Sequence, residues 1–173
     1  ISSIDKIALA SLSGSGMIGI PGISARLFGA LSRAKVNVIL ITQASSEHSI
    51  SFAISPEDIT IAVDAVQEEF AFEIQTGKIN SPRVETGLSV IALVGEKMSG
   101  QVNVSGKMFN TLGSNGVNMR AIAQGSSERN ISAVIEEKDV KKALNVLQEN
   151  HFEGSNKVLN LFVVGVGNVG GTL

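Results

Sequence analysis

Two glutamines 81 positions apart carry the strongest chemical signal in the chain. Gln43 opens the block Gln43-Ala44-Ser45-Ser46-Glu47, and Gln124 opens Gln124-Gly125-Ser126-Ser127-Glu128. A glutamine amide both donates and accepts hydrogen bonds. It can therefore orient a small zwitterion, whose ammonium and carboxylate need opposite partners. A glycine-rich loop, Gly14 to Gly22, leads directly into a segment of helical periodicity. Free N–H groups at a helix start attract a carboxylate, and glycines let the backbone come close to it. Met17 and Gly19 have counterparts in Met98 and Gly100, but Gln101-Val102-Asn103 stands where the first loop has Ile20-Pro21-Gly22. Two sites built this way need not be equivalent. A hairpin turn kept for its geometry and a plain strand-to-helix connection account for the same residues, and the sequence leaves both readings open.

Other chemistry finds little support. There are no cysteines, which excludes disulfides and thiolate metal sites and fits a reducing cytoplasm. His48 and His151 are too few and too far apart in sequence for a metal cluster. Arg129 matches His48, so no imidazole is demanded there. Glu47 and Glu128 fall in polar turns and are expected to be solvated. No Walker loop and no Ser–His–Asp order occurs, so no catalytic residue is expected. With 43% hydrophobic and 17% charged residues the chain reads as globular. Its net charge of −2 and scattered Lys and Arg give no footprint for nucleic acid. No apolar run approaches the roughly 18 residues of a membrane span.

The elements that must position these residues come in duplicate. Leu12, Met17, Ser24, Phe28, Leu31, Val36-Asn37 and Ile50-Ser51 all match residues at the same offset of 81. About 20 residues between Lys6 and Phe70 do so without a gap. The pattern predicts βαββα in each copy, with a closing strand. Ile7 to Leu12 reads as a buried strand, and Ile23, Leu27, Ala30, Leu31 and Ala34 as a helix stripe. Val36 to Gln43 and Ser49 to Ile54 read as a hairpin. Ser55-Pro56-Glu57-Asp58 reads as the start of a second helix. Phe72 and Ile74 suggest the closing strand. In the second copy the equivalents are Leu88 to Val94, Val104 to Leu112, Val117 to Gln124, Asn130 to Ile135 and a helix lined by Val140, Ala143, Leu144 and Leu147. The expected divisions are 1–82, 83–154 and a tail, 155–173. The fold class is α+β, two ferredoxin-like βαββαβ units whose antiparallel sheets carry helices on one face. A unit of this size buries a thin core, so a homodimer or higher oligomer through the sheets is expected.

Val36-Asn37-Val38-Ile39-Leu40-Ile41-Thr42-Gln43-Ala44-Ser45-Ser46-Glu47 and Val117-Asn118-Met119-Arg120-Ala121-Ile122-Ala123-Gln124-Gly125-Ser126-Ser127-Glu128 resemble the tandem ACT regulatory domains of aspartate kinases. The resemblance is to the bifunctional aspartokinase–homoserine dehydrogenases and covers Ile1 to Gly154. It implies feedback control by a free amino acid, threonine foremost, with a lysine-sensing region or a ligand-free dimerisation segment as alternatives. It places the ligand on Gly16, Met17, Ile18, Gly19, Gln43 and Ser45, with Met98, Gln124 and Ser126 in the second copy. Many monofunctional, lysine-sensing relatives carry an Asp-x-Pro-Gly loop in a copy. Gly19-Ile20-Pro21-Gly22 lacks that acid, which favours threonine. Some relatives also exchange terminal strands between the two units. Lys157 to Val164 reads as a strand running into Gly165-x-Gly167-x-x-Gly170, the opening of a dinucleotide fold. No helix or ribose-binding acid follows, so no working nicotinamide site is expected in this chain. The chain reads as a piece of a longer polypeptide. The implied parent would use ATP with magnesium and NAD(P), whereas this piece would need no cofactor.

Overall fold

The structure is a computed structural model that describes residues 1–44 and 48–152. The terminal glycine motif, with Gly165, Gly167 and Gly170, and the turn residue Ser45 lie outside the described residues. The first repeat comprises β1 (Ser2–Ser13), α1 (Ile23–Arg33), β2 (Leu40–Ala44), β3 (Ser49–Ile54), α2 (Ile59–Glu69) and a short α3 (Ala71–Gln75). The second comprises β4 (Arg83–Val94), α4 (Val104–Ser114), β5 (Met119–Gln124), β6 (Asn130–Glu136) and α5 (Val140–Phe152). The offset of 81 holds for the first residues of β1 and β4, α1 and α4, β3 and β6, and α2 and α5.

The six strands among the described residues form one antiparallel sheet in the order β2-β3-β1-β4-β6-β5. Its centre is the pairing of the two long strands, and that pairing is two-fold symmetric in register. Ser2 faces Ala92 and Arg83 faces Ser11, while Ile7 faces its own repeat-mate Leu88. The start of each long strand therefore lies in the other repeat's half of the sheet. Ser2–Ile4 closes the second half beside Ala92–Val90, and Arg83–Glu85 closes the first half beside Ser11–Leu9. The crossover occurs at Lys6 (φ 57) and Gly87 (φ 70), which are repeat-mates, and the register shifts around them. A left-handed residue is what bends a strand out of one ladder and into the next.

This exchange corrects one expectation. Phe72 and Ile74 belong to a helix and not to a closing strand. Residues two apart share a face in a strand but diverge around a helix. Accordingly Ile74 packs on the first core while Phe72 is 68% exposed. The closing ladder is Arg83–Glu85, whose single apolar residue, Val84, packs on the same core.

Helices cover one face of the sheet. Leu12, Phe52 and Ile54 pack with Leu27, Leu31, Val66 and Phe70 in the first half. Ile91, Leu93 and Ile135 pack with Met108, Leu112, Ala143 and Leu147 in the second. The other face is buried too. The two edge strands, β2 and β5, approach each other, so the sheet is rolled. Its inner face encloses Ile7, Leu9, Leu40, Ala53, Leu88, Val90, Ala121 and Val134. Burial on both faces explains why Ile7 to Ala10 is an unbroken apolar run.

Arg26 clamps α1 to the end of α2 and to α3. Its Nε donates to Glu69 Oε1 at 2.9 Å, its Nη1 to Glu73 Oε1 at 2.5 Å, and its Nη2 to the Glu69 carbonyl at 2.7 Å. The guanidinium also stacks 4.5 Å from the centre of the Phe70 ring. Hydrogen bonds from Arg26 hold both carboxyls below the ordinary glutamate value. The stabilisation is present above the unfolded-state glutamate value and is lost as pH falls through the lowered folded-state values.

Two outcomes follow. Ser89 is fully buried and its hydroxyl has no partner among the described residues, while its repeat-mate is Ala8. Ser89→Ala should raise stability by about 1 kcal/mol, read as a higher urea midpoint with an unchanged slope. A lower midpoint would contradict the packing described. Arg26→Met should cost about 1 kcal/mol at neutral pH, because the partly exposed clamp is screened. It should also flatten the fall in stability below the ordinary glutamate range. An unaltered acid limb would show that the clamp contributes nothing.

Candidate functional site

Each repeat opens a cleft at the same place, between the loop entering its first helix and the facing ends of its hairpin strands. The first has a volume of about 540 Å³ and is lined by Met17, Ile18, Gly19, Ile20, Gly22, Ile23, Ser24, Ala25, Gln43, Ala44, His48 and Ile50. The second, of about 150 Å³, is lined by Met98, Gln101, Val104, Ser105, Gln124, Glu128 and Ile131. Apart from Glu128, whose mate Glu47 lies outside the described residues, every residue of the second cleft has its repeat-mate in the first.

The local folding that builds the first cleft starts with glycine. Gly19 (φ 65) and Gly22 (φ 91) take left-handed conformations that turn the loop back toward β2. Gly22 is the N-cap of α1 and has no side chain with which to cap it. The first intrahelical bond of the helix is from the Arg26 N–H to the Gly22 carbonyl. The N–H groups of Ile23, Ser24 and Ala25 thus precede the hydrogen-bonded ladder, and all three residues line the cleft. Across from them, Gln43 sits near the end of β2, paired with Ile50 of β3. The cleft therefore offers helix-start donors on one wall, a bifunctional amide on the other, and apolar side chains between. That is an arrangement for a carboxylate, a second polar group and a small aliphatic body.

The structure brings Met17, Ile18, Gly19 and Gln43 together in the first cleft, and Met98 and Gln124 in the second. Gly16 is not among the lining residues. Its N–H donates to the Lys78 carbonyl at 2.8 Å, and a Cβ on it would come within 2.7 Å of Lys78 Cβ. Gly16 is there to let the segment before β4 pass close by. Ser126 is exposed in the turn after β5, outside the second cleft's lining. Several lining residues escaped the sequence reading, among them Ser24, Ser105, His48 and Glu128. Ser24 and Ser105 are identical at the offset of 81 and line both clefts, so the repeat itself was the signal. His48 lines the first cleft despite its replacement by Arg129 in the other copy. Glu128, expected to be solvated, is exposed but lines the second cleft and accepts the Gly100 N–H at 2.7 Å.

Among the described residues no group of three or more His, Asp or Glu is placed to hold a metal ion. No helix among them is long and apolar enough to cross a membrane.

A protein-family model described as "ACT domain" matches residues 11–70 and 91–151, once in each repeat. Among curated proteins, the chain is 37% identical over 171 residues to bifunctional aspartokinase/homoserine dehydrogenase 2, chloroplastic, of Arabidopsis thaliana. It is 39% identical over 173 residues to the bifunctional aspartokinase/homoserine dehydrogenase of Haemophilus influenzae. These alignments cover 99% and 100% of the chain but only 19% and 21% of the relatives, so the chain spans about a fifth of their length. Among solved structures, the ligand-free regulatory subunit of aspartate kinase from Thermus thermophilus superposes with a TM-score of 0.72 at 23% identity. That match covers 87% of this chain and 95% of the other. Aspartokinase III of E. coli in complex with lysine and aspartate superposes with a TM-score of 0.65 at 26% identity, over 87% of this chain and 32% of that one. With a family match in each of two structurally equivalent repeats, the chain belongs to the ACT domain family as a tandem pair.

Proposed function

We propose that the chain is the effector-sensing region of an aspartate kinase joined to a homoserine dehydrogenase, and that a free amino acid bound in its clefts turns the parent enzyme down. The observation that carries this reading is the placement of Gln43 opposite the uncapped start of α1, across a cleft of about 540 Å³. The same pairing recurs at Gln124 and the start of α4. In this reading the effector carboxylate takes the N–H groups between Gly19 and Ala25, and the glutamine side chain takes its remaining polar groups. Met17, Ile18, Gly19, Gln43 and Ser45 serve the first seat, and Met98 and Gln124 the second. Gly16 supports the loop from behind.

Threonine is the effector we favour. The side chains that wall the first cleft include Met17, Ile18, Ile20, Ile23 and Ile50, which suit a small uncharged body. Lysine is the second reading, because the E. coli aspartokinase III structure is named as a lysine complex. Feedback requires the effector to bind one state of the parent better than the other, since a ligand shifts an equilibrium only by its differential affinity. The parent would use ATP with magnesium in one part and NAD(P) in another. Residues 1–82 and 83–154 would be the two sensing units and 155–173 the lead into the dehydrogenase part. Two exposed apolar side chains at matched positions of β2 and β5, Ile41 (47%) and Ile122 (39%), support assembly into a homodimer or higher oligomer. The lack of cysteine suits a reducing compartment, and we place the parent in the cytoplasm; the Arabidopsis relative is chloroplastic by name.

A thermal-shift series with threonine, lysine, methionine and homoserine tests the reading. A ligand that binds only the folded chain adds about 2.7 kcal/mol at a hundredfold excess over Kd. Threonine is expected to raise Tm by several degrees, and no shift with any of the four would contradict the proposal. Gln43→Ala and Gln124→Ala should each weaken the response, Gln43→Ala by about tenfold in threonine concentration. Unchanged titrations in both variants would remove the glutamines from the site.

A further inference from the structure

The second cleft already contains a carboxylate of its own. Glu128 Oε2 accepts the Gly100 N–H at 2.7 Å, and so ties the turn after β5 to the loop ahead of α4. Glu128 lines the second cleft with Met98, Ser105 and Gln124, and Gly100, at the other end of the tie, is the repeat-mate of Gly19, which lines the first cleft. The turn is bent to deliver it: Glu128 sits at φ 55, in the left-handed region, and its N–H is tied back to the Gly125 carbonyl at 2.9 Å. Asn103, the N-cap of α4 at φ 69, makes no side-chain capping bond, so the start of α4 is left without a side-chain cap, as is that of α1.

We propose that Glu128 is a self-ligand: its carboxylate holds the seat that an effector carboxylate would take in the second cleft, and it must be displaced before that cleft fills. The proposal rests on the reading of the clefts as amino-acid seats. One N–H cannot serve two carboxylates, and two like charges at one donor repel each other. The apparent Kd of such a cleft is the intrinsic value divided by the fraction of time the clasp is open. A clasp closed about nine-tenths of the time weakens apparent binding about tenfold. It also makes filling of the second cleft the event that frees the hairpin turn from the loop, so occupancy there is coupled to a local change of shape.

Site-resolved NMR of the amide N–H signals, with titration of the 173-residue chain by threonine and in parallel by lysine, reads each cleft separately. Gly19 reports the first and Gly100 the second. Glu128→Ala is expected to lower the midpoint at Gly100 about tenfold while leaving that at Gly19 unchanged. Glu128→Gln keeps the length of the side chain without its charge. It should move the Gly100 midpoint the same way by less, and it decides the matter if the alanine variant does not fold. A midpoint at Gly100 that stays put or rises, with Gly19 responding as before, overturns the self-ligand and leaves the amino-acid reading standing; a rise would mean that Glu128 grips the ligand instead. No response at either glycine, in any of the three proteins and with either amino acid, overturns both.

Discussion

The antiparallel pairing of β1 with β4 positions everything else in this molecule. Because Ile7 faces Leu88 and the ladder is symmetric about that pair, each long strand serves both halves of the sheet. Neither repeat is complete without three residues of the other: Ser2–Ile4 in one case and Arg83–Glu85 in the other. The small core of a single unit is thereby joined to its neighbour by backbone hydrogen bonds and by the inner cluster around Ile7, Leu9, Leu88 and Val90. Bending at Lys6 and Gly87 lets one strand change ladders without a break, and rolling of the sheet covers the face that the helices leave bare.

The clefts inherit this symmetry but not its full equivalence. Both lie between a helix start and the end of a hairpin, and both contain a methionine, a serine and a glutamine at matched positions. The differences are local. Ile20 and Gly22 of the first loop become Gln101 and Asn103 in the second, and the second cleft is smaller and lined in part by Glu128. A duplicated fold can thus present two seats of one design and different openness. The Arg26 clamp adds a further asymmetry, since Lys107 and Asn150 stand where Arg26 and Glu69 do, and the first repeat alone has that set. The clamp holds α1, whose start is the donor wall of the larger cleft.

Much of this could be read from the chain because the repeat is ungapped. Identity at an offset of 81 located two helices and the hairpin in each copy, and it isolated Gln43 and Gln124 from residues explained by packing. The exchange of strands left no such trace. The closing strand of the first half, Arg83-Val84-Glu85, has one apolar residue, too short a pattern to be told from a loop. Phe72 and Ile74, two apolar residues two apart, imitated the missing strand within a single helical turn. For the site, composition gave the polarity of the turn at Glu128 but not the direction of its side chain. That direction depends on a left-handed backbone which glutamate adopts here against its preference. Gly16 was legible as a loop glycine, but only the fold shows that its missing side chain makes room for Lys78 and not for a ligand.

Regulation in this account comes from geometry: donors at an uncapped helix start face an amide at the end of a neighbouring strand, at a spacing fixed by the shared sheet. A crystal structure of the chain grown with threonine addresses this most directly. Threonine is expected in the cleft between the Met17–Gly22 loop and β2, its carboxylate on N–H groups between Gly19 and Ala25, and the Gln43 amide bonded to its other polar groups. Threonine seated elsewhere on the sheet, or seated there with Gln43 turned away from it, would contradict the account.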